Sequence, residues 1–256
     1  MLTTTFEGGA SSKGPDELVV EEPMAIHLDD HLVTTTMRTP GHDFELAAGF
    51  CFTEGLLDGA AVRTCRYCGT GPAVETDFNV VSVDTGGVAP VPAPRLGPTT
   101  SSCGLCGSVS LDELADRLEP LRPSVRFGGD VLAEMPERVR ADQTLFDATG
   151  AVHAAAAFDV AGTPVVVRED VGRHNAVDKV VGRLLLDGHL PAADLGLYVS
   201  GRASFEMVQK AWAAGFAALV AVSAPTSLAV ATAVRANLVL AGFVRDGRMN
   251  LYAGAL

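Results

Sequence analysis

Long hydrophobic runs are absent from this sequence of 256 residues. No stretch approaches the roughly 18 consecutive apolar residues that a membrane-spanning helix requires. The first residues also lack the basic and apolar regions of a signal peptide. We therefore expect a cytoplasmic protein without a membrane span. Apolar residues still make up 48% of the chain, which is enough for one large core or two smaller ones.

An excess of basic residues is also absent. The chain has 19 Lys and Arg against 31 Asp and Glu, a net charge of −12, which argues against nonspecific nucleic-acid binding. The charge is uneven, however. Residues 1–150 contain 10 basic and 23 acidic residues, whereas residues 151–256 contain 9 and 8. The C-terminal part could therefore accept an anionic small molecule more easily than the N-terminal part.

Cysteine is scarce, and its number, five, is odd. Neither property is expected of a disulfide framework. Four of the cysteines form two C-x-x-C pairs, Cys65 with Cys68 and Cys103 with Cys106. Such pairs are typical of metal-binding or reactive thiols in a reducing compartment.

Composition and hydrophobic periodicity divide the chain into three parts. Residues 1–15 are rich in Gly, Ser and Thr, and we expect a flexible tail. Residues 16–140 contain strand-like runs, an amphipathic helix near 43–57 and a Gly/Pro-rich loop at 85–100, which predicts an N-terminal α+β region that carries the C-x-x-C loop. In residues 141–256 short apolar strands alternate with helices. This alternation predicts an α/β domain in which helices are layered on a mixed, largely parallel sheet.

The predicted elements of the C-terminal domain have definite positions. The strands are expected at 152–158, 164–168, 195–199, 216–222, 238–244 and 248–252, and the helices at 174–187, 203–214 and 226–238.

The second C-x-x-C pair follows the long loop and precedes a predicted helix at 111–120. A sulfur carrier needs an exposed thiolate of lowered pKa, which flanking glycines and a nearby helix N-terminus would provide. Cys103 is the better carrier candidate, with Cys106 as a resolving thiol or a second relay. A four-thiolate zinc site with Cys65 and Cys68 fits the residue types about equally well, although the 34 residues between the pairs exceed the usual ribbon spacing.

Two other cysteine chemistries are disfavoured. A thiol oxidoreductase motif normally opens a helix directly after a strand, whereas a proline-rich loop precedes this pair. A zinc nucleobase deaminase needs an H-x-E motif, and none of the six histidines has Glu two positions later. The sequence therefore excludes deamination.

Polar residues gather at two strand-to-helix junctions of the C-terminal part. The stretches Arg168–Lys179 and Ser200–Lys210 each run from a predicted strand into a helix. Ligands bind at this position in open α/β sheets. Arg173, His174 and Arg202 are therefore candidate ligand-binding residues, and a guanidinium can bind a phosphate through two parallel hydrogen bonds.

These junctions also have a purely structural interpretation. Asn175 or His174 could cap the first helix, and Ser204 could cap the second. Asp178 and Lys179 could lie on a solvated face. For any single residue this interpretation has at least equal weight, whereas the cluster as a whole favours a site.

The turn between the last two predicted strands is a third candidate. Its Asp-Gly pair is a hairpin signal, but a plain turn does not explain an arginine on each side of it. Recognition of phosphate or guanine would explain these two arginines. The residues concerned are Phe243, Val244, Arg245, Asp246, Gly247 and Arg248.

Five stretches in order resemble the FdhD/NarQ family, the formate dehydrogenase accessory sulfurtransferases. They are R-T-P-G-H-D-F-E-L-A-A-G-F at 38–50, S-S-C-G-L-C-G at 101–107, R-E-D-V-G-R-H-N-A-V-D-K at 168–179, S-G-R-A-S-F-E-M-V-Q-K-A at 200–211 and F-V-R-D-G-R at 243–248. Together they cover most of the chain from about residue 18 onward.

The resemblance implies a sulfurtransferase that acts through a cysteine persulfide. Sulfur would come from a cysteine desulfurase and pass to bis-molybdopterin guanine dinucleotide before that cofactor enters formate dehydrogenase. Cys103 would carry the persulfide, and Phe243–Arg248 would bind the cofactor. The resemblance further implies a cytidine-deaminase-like α/β/α domain and a homodimer.

One feature departs from the family pattern. Cys65 and Cys68 are not part of it, so a metal site remains an alternative, although the leading interpretation assigns no metal ligand. In that alternative the protein is a non-catalytic chaperone that inserts the molybdenum cofactor and uses its cysteines structurally, with zinc. The sequence does not distinguish molybdenum from tungsten.

Overall fold

The computed structural model describes residues 1–67, 78–92 and 117–256. Cys68, Cys103, Cys106 and residues 111–116 of the helix predicted at 111–120 lie outside the described residues.

Residues 1–15 form an antiparallel hairpin of β1 (Leu2–Glu7) and β2 (Ala10–Pro15). The two strands meet at Gly8 and Gly9, which both have positive φ. We expected a tail without regular structure here. Threonine favours extended backbone and the two glycines permit a tight turn, so a hairpin forms although nearly all of its residues are exposed.

A four-stranded sheet follows in the N-terminal part. It consists of β3 (Glu22–Leu28), β4 (His31–Arg38), β5 (Thr64–Tyr67) and β6 (Val80–Asp84), in the order β4-β3-β6-β5. Helix α1 (Asp43–Thr53) packs against it through a buried apolar cluster. This helix confirms the one predicted near 43–57, with an earlier end, but it is buried on nearly all sides rather than amphipathic.

The C-terminal part is built on a six-stranded sheet in the order β12-β11-β10-β9-β7-β8. Two of its pairings are parallel, β9 with β10 and β10 with β11, and three are antiparallel. The sheet is mixed as predicted, but "largely parallel" holds only for its centre, because each end of the sheet is an antiparallel pair of consecutive strands. The strands are β7 (His153–Phe158), β8 (Pro164–Asp170), β9 (Gly196–Val199), β10 (Ala218–Ala221), β11 (Val239–Arg245) and β12 (Arg248–Ala253).

Successive residues of a strand point to opposite faces, and in this sheet both sets are apolar. Helices therefore cover both faces. On one face α5 (Arg173–Leu186), α6 (Phe205–Ala214) and α7 (Ser227–Ala236) pack over residues such as Leu197 and Leu219. On the other face α2 (Gly129–Ala133) and α3 (Met135–Arg140) pack over Tyr198 and Val220, and α4 (Thr144–Thr149) follows. The predicted boundary at residue 140 therefore falls inside a group of short helices next to the six-stranded sheet.

Two glycines let α1 and α5 touch. A Cβ on Gly49 would overlap the carbonyl oxygen of Asp178, and a Cβ on Gly182 would overlap the carbonyl oxygen of Glu45. Only hydrogen fits at either position. This crossing joins the helix of the four-stranded sheet to a helix of the six-stranded sheet.

None of the helices within residues 1–67, 78–92 and 117–256 combines the length and the apolar character needed to cross a bilayer.

Candidate functional site

The predicted ligand-binding residues meet at one edge of the six-stranded sheet. Strands β9, β10 and β11 are parallel, so their carboxyl ends lie at the same edge. Strand β8 also ends there, since it is antiparallel to β7, which is antiparallel to β9. We call this the carboxyl edge, and it is the usual place for a ligand in an open α/β sheet.

Backbone hydrogen bonds connect the loops of the carboxyl edge. The N–H of Ser200 donates to the carbonyl of Ala154 at 2.9 Å, and the N–H of Ser223 donates to the carbonyl of Gly201 at 3.2 Å. The N–H of Phe243 in turn donates to the carbonyl of Ser223 at 3.2 Å. The loop that carries Arg202 and the predicted cofactor segment therefore belong to one connected surface.

Four arginines lie along the carboxyl edge without a carboxylate partner in the described part of the chain. Arg202, Arg245 and Arg248 are exposed, and Arg173 is half-buried. The Nε of Arg173 is buried and has no hydrogen-bond partner. Unpaired buried polar atoms are rare in proteins, so this atom needs a partner from outside the described residues.

The turn at Phe243–Arg248 has an unusual backbone. Phe243 has φ 54° and Asp246 has φ 52°, and the pairing of β11 with β12 is irregular between Gly242 and Arg245. Positive φ is rare for a bulky residue and is found most often at functional sites. Phe243 is 43% exposed, whereas Val244 is fully buried in the core. Val244 therefore anchors the turn in the core, whereas its neighbours are exposed to solvent.

Arg245 and Arg248 face each other as a cross-strand pair. Like charges directly opposite each other destabilise a hairpin. The backbone N–H of Asp246 donates to Oε1 of Glu137 at 3.2 Å, which ties the turn to α3. The two arginines are thus held in a repulsive arrangement that an anion would relieve.

Asp170 gives the 168–179 motif a structural role. This buried carboxylate pairs with Lys179 at 2.7 Å and accepts hydrogen bonds from the backbone N–H of Gly172 at 2.8 Å and Nδ2 of Asn175 at 2.9 Å. The N–H of Thr39 donates to it at 3.1 Å. Asp170 therefore connects the end of β8 to the start of α5 and to the segment after β4.

The capping predictions for these junctions have mixed outcomes. Gly172 stands at the N-cap position of α5, so neither Asn175 nor His174 caps it, and His174 is buried. Ser204 stands at the N-cap of α6, but its side chain makes no capping bond. The predicted solvated face for Asp178 and Lys179 is wrong, because each is only 1% exposed.

Asp178 belongs to a second buried network, between α1, α5 and α6. Lys210 Nζ lies 2.9 Å from Oδ1 of Asp178 and donates to Oγ1 of Thr53 at 2.9 Å and Oε1 of Glu54 at 3.2 Å. Burial raises the pKa of Asp178 to about 6, although Lys210 opposes this shift. Burial also acts against the charge of Lys210, but the adjacent carboxylates raise the pKa of this lysine.

A cleft of about 530 Å³ opens beside the carboxyl edge. His153, Tyr198 and Ser200 line its sheet side, and Arg140 and Gln143 line its helical side. This cleft could not be predicted from the sequence, because its helical wall lies in short elements without a full apolar repeat. The one signal was a histidine at the head of the otherwise apolar strand H-A-A-A-A-F.

His153 and Arg173 flank Gly201 near the carboxyl edge. Nδ1 of His153 lies 3.3 Å from Oγ of Ser200, and that oxygen accepts the N–H of Ala154 at 3.0 Å. A Cβ on Gly201 would lie 3.6 Å from the His153 ring and 3.7 Å from Cδ of Arg173. Burial and the charge of Arg173 lower the pKa of His153, and Asp170 opposes the shift.

The two cysteines within the described residues do not have the properties of reactive thiols. Cys51 is buried on α1 and Cys65 is half-buried on β5. Burial raises the pKa of Cys65 to about 11, the reverse of what a nucleophilic thiol needs. Within the described residues no three His, Cys, Asp or Glu side chains are grouped to hold a metal ion. The predicted catalytic residues Cys103 and Cys106 lie outside these residues, so their roles stay predictions.

Residues 19–256 match the model of the FdhD/NarQ family. The chain is 51% identical over 255 residues to the sulfur carrier protein FdhD of Streptomyces avermitilis, covering 96% of this chain and 90% of that protein. It is 47% identical over 255 residues to the protein of the same name from Corynebacterium efficiens, covering 94% and 91%.

A solved structure shows the same fold. The crystal structure of a formate dehydrogenase accessory protein from Desulfotalea psychrophila aligns with a TM-score of 0.76 and 24% identity. The alignment covers 99% of this chain and 96% of that chain. The family model and the relatives each span nearly the whole sequence, and the chain therefore belongs to the FdhD/NarQ family.

Proposed function

We propose that the protein is a sulfurtransferase that carries sulfur as a persulfide on Cys103. It takes this sulfur from a cysteine desulfurase and delivers it to the bis-molybdopterin guanine dinucleotide cofactor that formate dehydrogenase requires. The observation that carries the proposal is the family match over residues 19–256. Relatives that are 45% to 51% identical bear the name sulfur carrier protein.

The loading step is a thiol exchange. The thiolate of Cys103 attacks the outer sulfur of the persulfide on the donor enzyme. A bond forms from Cys103 Sγ to that sulfur, the sulfur–sulfur bond of the donor breaks, and the donor cysteine leaves as a thiolate. The transferred sulfur keeps its oxidation state, so this step needs no external oxidant or reductant.

Delivery as sulfide requires two electrons, which Cys106 supplies in this proposal. Its thiolate attacks Sγ of Cys103, the bond to the outer sulfur breaks, and that sulfur departs as hydrosulfide with both bonding electrons. Cys103 and Cys106 are left as a disulfide, which a cellular thiol reductant then reopens. The assignment gives the second cysteine of the C-x-x-C motif a definite role.

The carboxyl edge is the proposed site for the acceptor cofactor. Arg173, Arg202, Arg245 and Arg248 lie there without carboxylate partners in the described part of the chain, so they can neutralise cofactor phosphates. The exposed ring of Phe243 adds an aromatic surface for a planar base. Holding donor and acceptor on one protein accelerates transfer mainly through proximity.

The family resemblance supports further parts of the proposal. The protein would act in the cytoplasm as a homodimer, and the catalytic subunit of formate dehydrogenase would receive the sulfurated cofactor. Helices on both faces of the six-stranded sheet support a cytidine-deaminase-like layering.

A loading experiment tests the function. The protein is incubated with a cysteine desulfurase and cysteine, and the peptide that contains Cys103 and Cys106 is examined by mass spectrometry. We expect one added sulfur atom that dithiothreitol removes, lost in Cys103→Ala and retained in the control Cys65→Ala. Absence of the adduct, together with stoichiometric zinc in the purified protein, would instead support the non-catalytic insertion chaperone.

A further inference from the structure

The hairpin of β1 and β2 presents apolar side chains to solvent. Leu2 and Phe6 are 77% and 79% exposed, and strand alternation places them on one face with Thr4 between them. A two-stranded hairpin is at best marginally stable in water unless its apolar face packs against another element. The family match begins at residue 19, so the proposed function gives residues 1–15 no role. Within the described residues, these two side chains therefore have neither a packing partner nor an assigned purpose.

Backbone hydrogen bonds show which groups of β1 point away from β2. The N–H of Asp16 donates to the carbonyl of Met1 at 2.8 Å, and the nitrogen of Met1 donates to the carbonyl of Asp16 at 2.7 Å. Hydrogen-bonded and non-hydrogen-bonded pairs alternate along an antiparallel ladder. Every second residue of β1 therefore directs its N–H and C=O away from β2. In the register of this hairpin these residues are Leu2, Thr4 and Phe6.

The two outer edges of the hairpin differ in their protection against pairing. The outward-facing residues of β2 are Ser11, Lys13 and Pro15. Pro15 has no N–H to donate and Lys13 is charged, and these are two of the devices by which proteins block an edge strand. The outward-facing residues of β1 include neither a proline nor a charge. Since β1 pairs only with β2 among the described strands, its outer edge is open and unprotected.

The open edge of β1 is complementary to itself. When two copies pair antiparallel about a twofold axis at Thr4, the two Thr4 residues are opposite each other and Leu2 is opposite Phe6 of the second copy. This register aligns the outward-facing residues of both copies, so all of their N–H and C=O groups are hydrogen-bonded. Leu2 and Phe6 of the second copy then lie on the same face, where such cross-strand contacts stabilise a sheet. No charged side chain lies within the paired stretch.

We propose that two copies of this chain associate through β1, forming an intermolecular sheet of two hairpins with the two β1 strands at its centre. A second copy fits this edge because one twofold axis satisfies both strands in the same register. Contact along a six-residue strand is smaller than the interface of a stable complex, so this association is reversible and depends on protein concentration. It adds an interface outside residues 19–256 and does not depend on the sulfur chemistry.

Hydrogen exchange of the backbone amides tests the pairing directly. Exchange in the full-length protein is followed by NMR at a low and at a high protein concentration. We expect the outward-facing amides of β1 to exchange more slowly at the high concentration, because they then donate to the second copy. The outward-facing amides of Ser11 and Lys13 lie on the other edge of the same hairpin and should exchange equally fast at both concentrations. They serve as the internal control.

Thr4→Pro and Lys13→Pro are a matched pair of variants. The two residues are opposite each other in the hairpin, and the N–H of each points outward, so neither proline removes a bond within the hairpin. Only Thr4→Pro blocks the edge of β1, where it removes both hydrogen bonds of the central Thr4–Thr4 pair. Sedimentation equilibrium should show self-association through this edge weakened about tenfold or more in Thr4→Pro. Self-association of Lys13→Pro should stay within about twofold of wild type.

Three results would overturn the proposal. One is self-association of Thr4→Pro equal to that of wild type, which would assign the contact between copies to another surface. Another is exchange at the β1 amides that does not slow as the protein concentration rises. The third is slow exchange of these amides that persists on dilution, which would mean that the edge is covered by something other than a second copy. Thermal unfolding of both proline variants should match wild type, since the hairpin is exposed.

Discussion

Lys210 and Asp178 form a buried ion pair between α6 and α5, with Nζ 2.9 Å from Oδ1. Each residue is at most 3% exposed, and Glu54 of the chain after α1 also contacts the ammonium. The Lys210 ammonium therefore lies between two carboxylates in the interior. This network fixes the position of α1 against the helices that follow the ligand-binding loops.

Replacing Lys210 by Met should strongly destabilise the protein. The substitution leaves Asp178 buried without the Lys210 ammonium, and breaking such a pair costs about 3–5 kcal/mol. Urea unfolding measures this loss. Lys13→Met on the exposed hairpin is the control and should change stability by less than about 0.5 kcal/mol. Equal stabilities for the two variants would contradict the network.

Asp178 should also give stability a definite pH dependence. Its pKa is about 6 in the folded protein against an ordinary value of 3.8, so the folded state binds the proton more tightly than the unfolded state. Between about pH 4 and pH 6 the contribution of this residue must decrease as the pH rises, by up to about 3 kcal/mol in total. Unfolding of wild type and Asp178→Asn across this range measures the difference, which should change with pH. A constant difference would show that Asp178 ionises normally.

Gly182→Ala should destabilise the protein by about 3 kcal/mol or more, because its methyl group would overlap the backbone of α1 at Glu45. Backbone cannot move aside as a flexible side chain can. Thermal unfolding provides the measurement, and Gly14→Ala, where a Cβ would meet nothing within 4 Å, provides the control. A small effect at position 182 would mean that α1 and α5 do not cross as described.

Arg248→Gln should weaken ligand binding without lowering the stability of the protein. The change removes a like-charge pair with Arg245, so stability should stay equal or rise by a few tenths of a kcal/mol. Binding of a guanine dinucleotide ligand should weaken about tenfold, through the loss of one charge-assisted contact. Calorimetric titration and thermal unfolding of the same sample test both parts. Unchanged affinity would remove Arg248 from the cofactor site.

Much of the six-stranded sheet could be predicted because its periodicity is strong. The helix expected at 174–187 is α5, Arg173–Leu186, and the strand expected at 195–199 is β9, Gly196–Val199. Thr226 caps α7, as a threonine directly before a helix commonly does, since its Oγ1 accepts the N–H of Ala229 at 3.2 Å. These features depend on residues that are close in sequence.

Features that depend on distant residues could not be predicted. The burial of Asp178 follows from Lys210 and Thr53, which are 32 and 125 positions away, and local composition gives no sign of either contact. His153 becomes part of a cleft only when the loop after β9 and the helices α3 and α4 are in place. The arginines were found because charge is visible in sequence, whereas the burial of Arg173 Nε without a partner is seen only in the fold.

The most direct test of the central claim combines sulfur loading with activity. Wild type, Cys103→Ala and Cys65→Ala are loaded with a cysteine desulfurase and cysteine. Each variant is also expressed in cells that lack the native protein, and formate dehydrogenase activity is measured in those cells. The account predicts a persulfide on Cys103 and active enzyme for wild type and Cys65→Ala, with neither for Cys103→Ala. Active formate dehydrogenase with Cys103→Ala would contradict it.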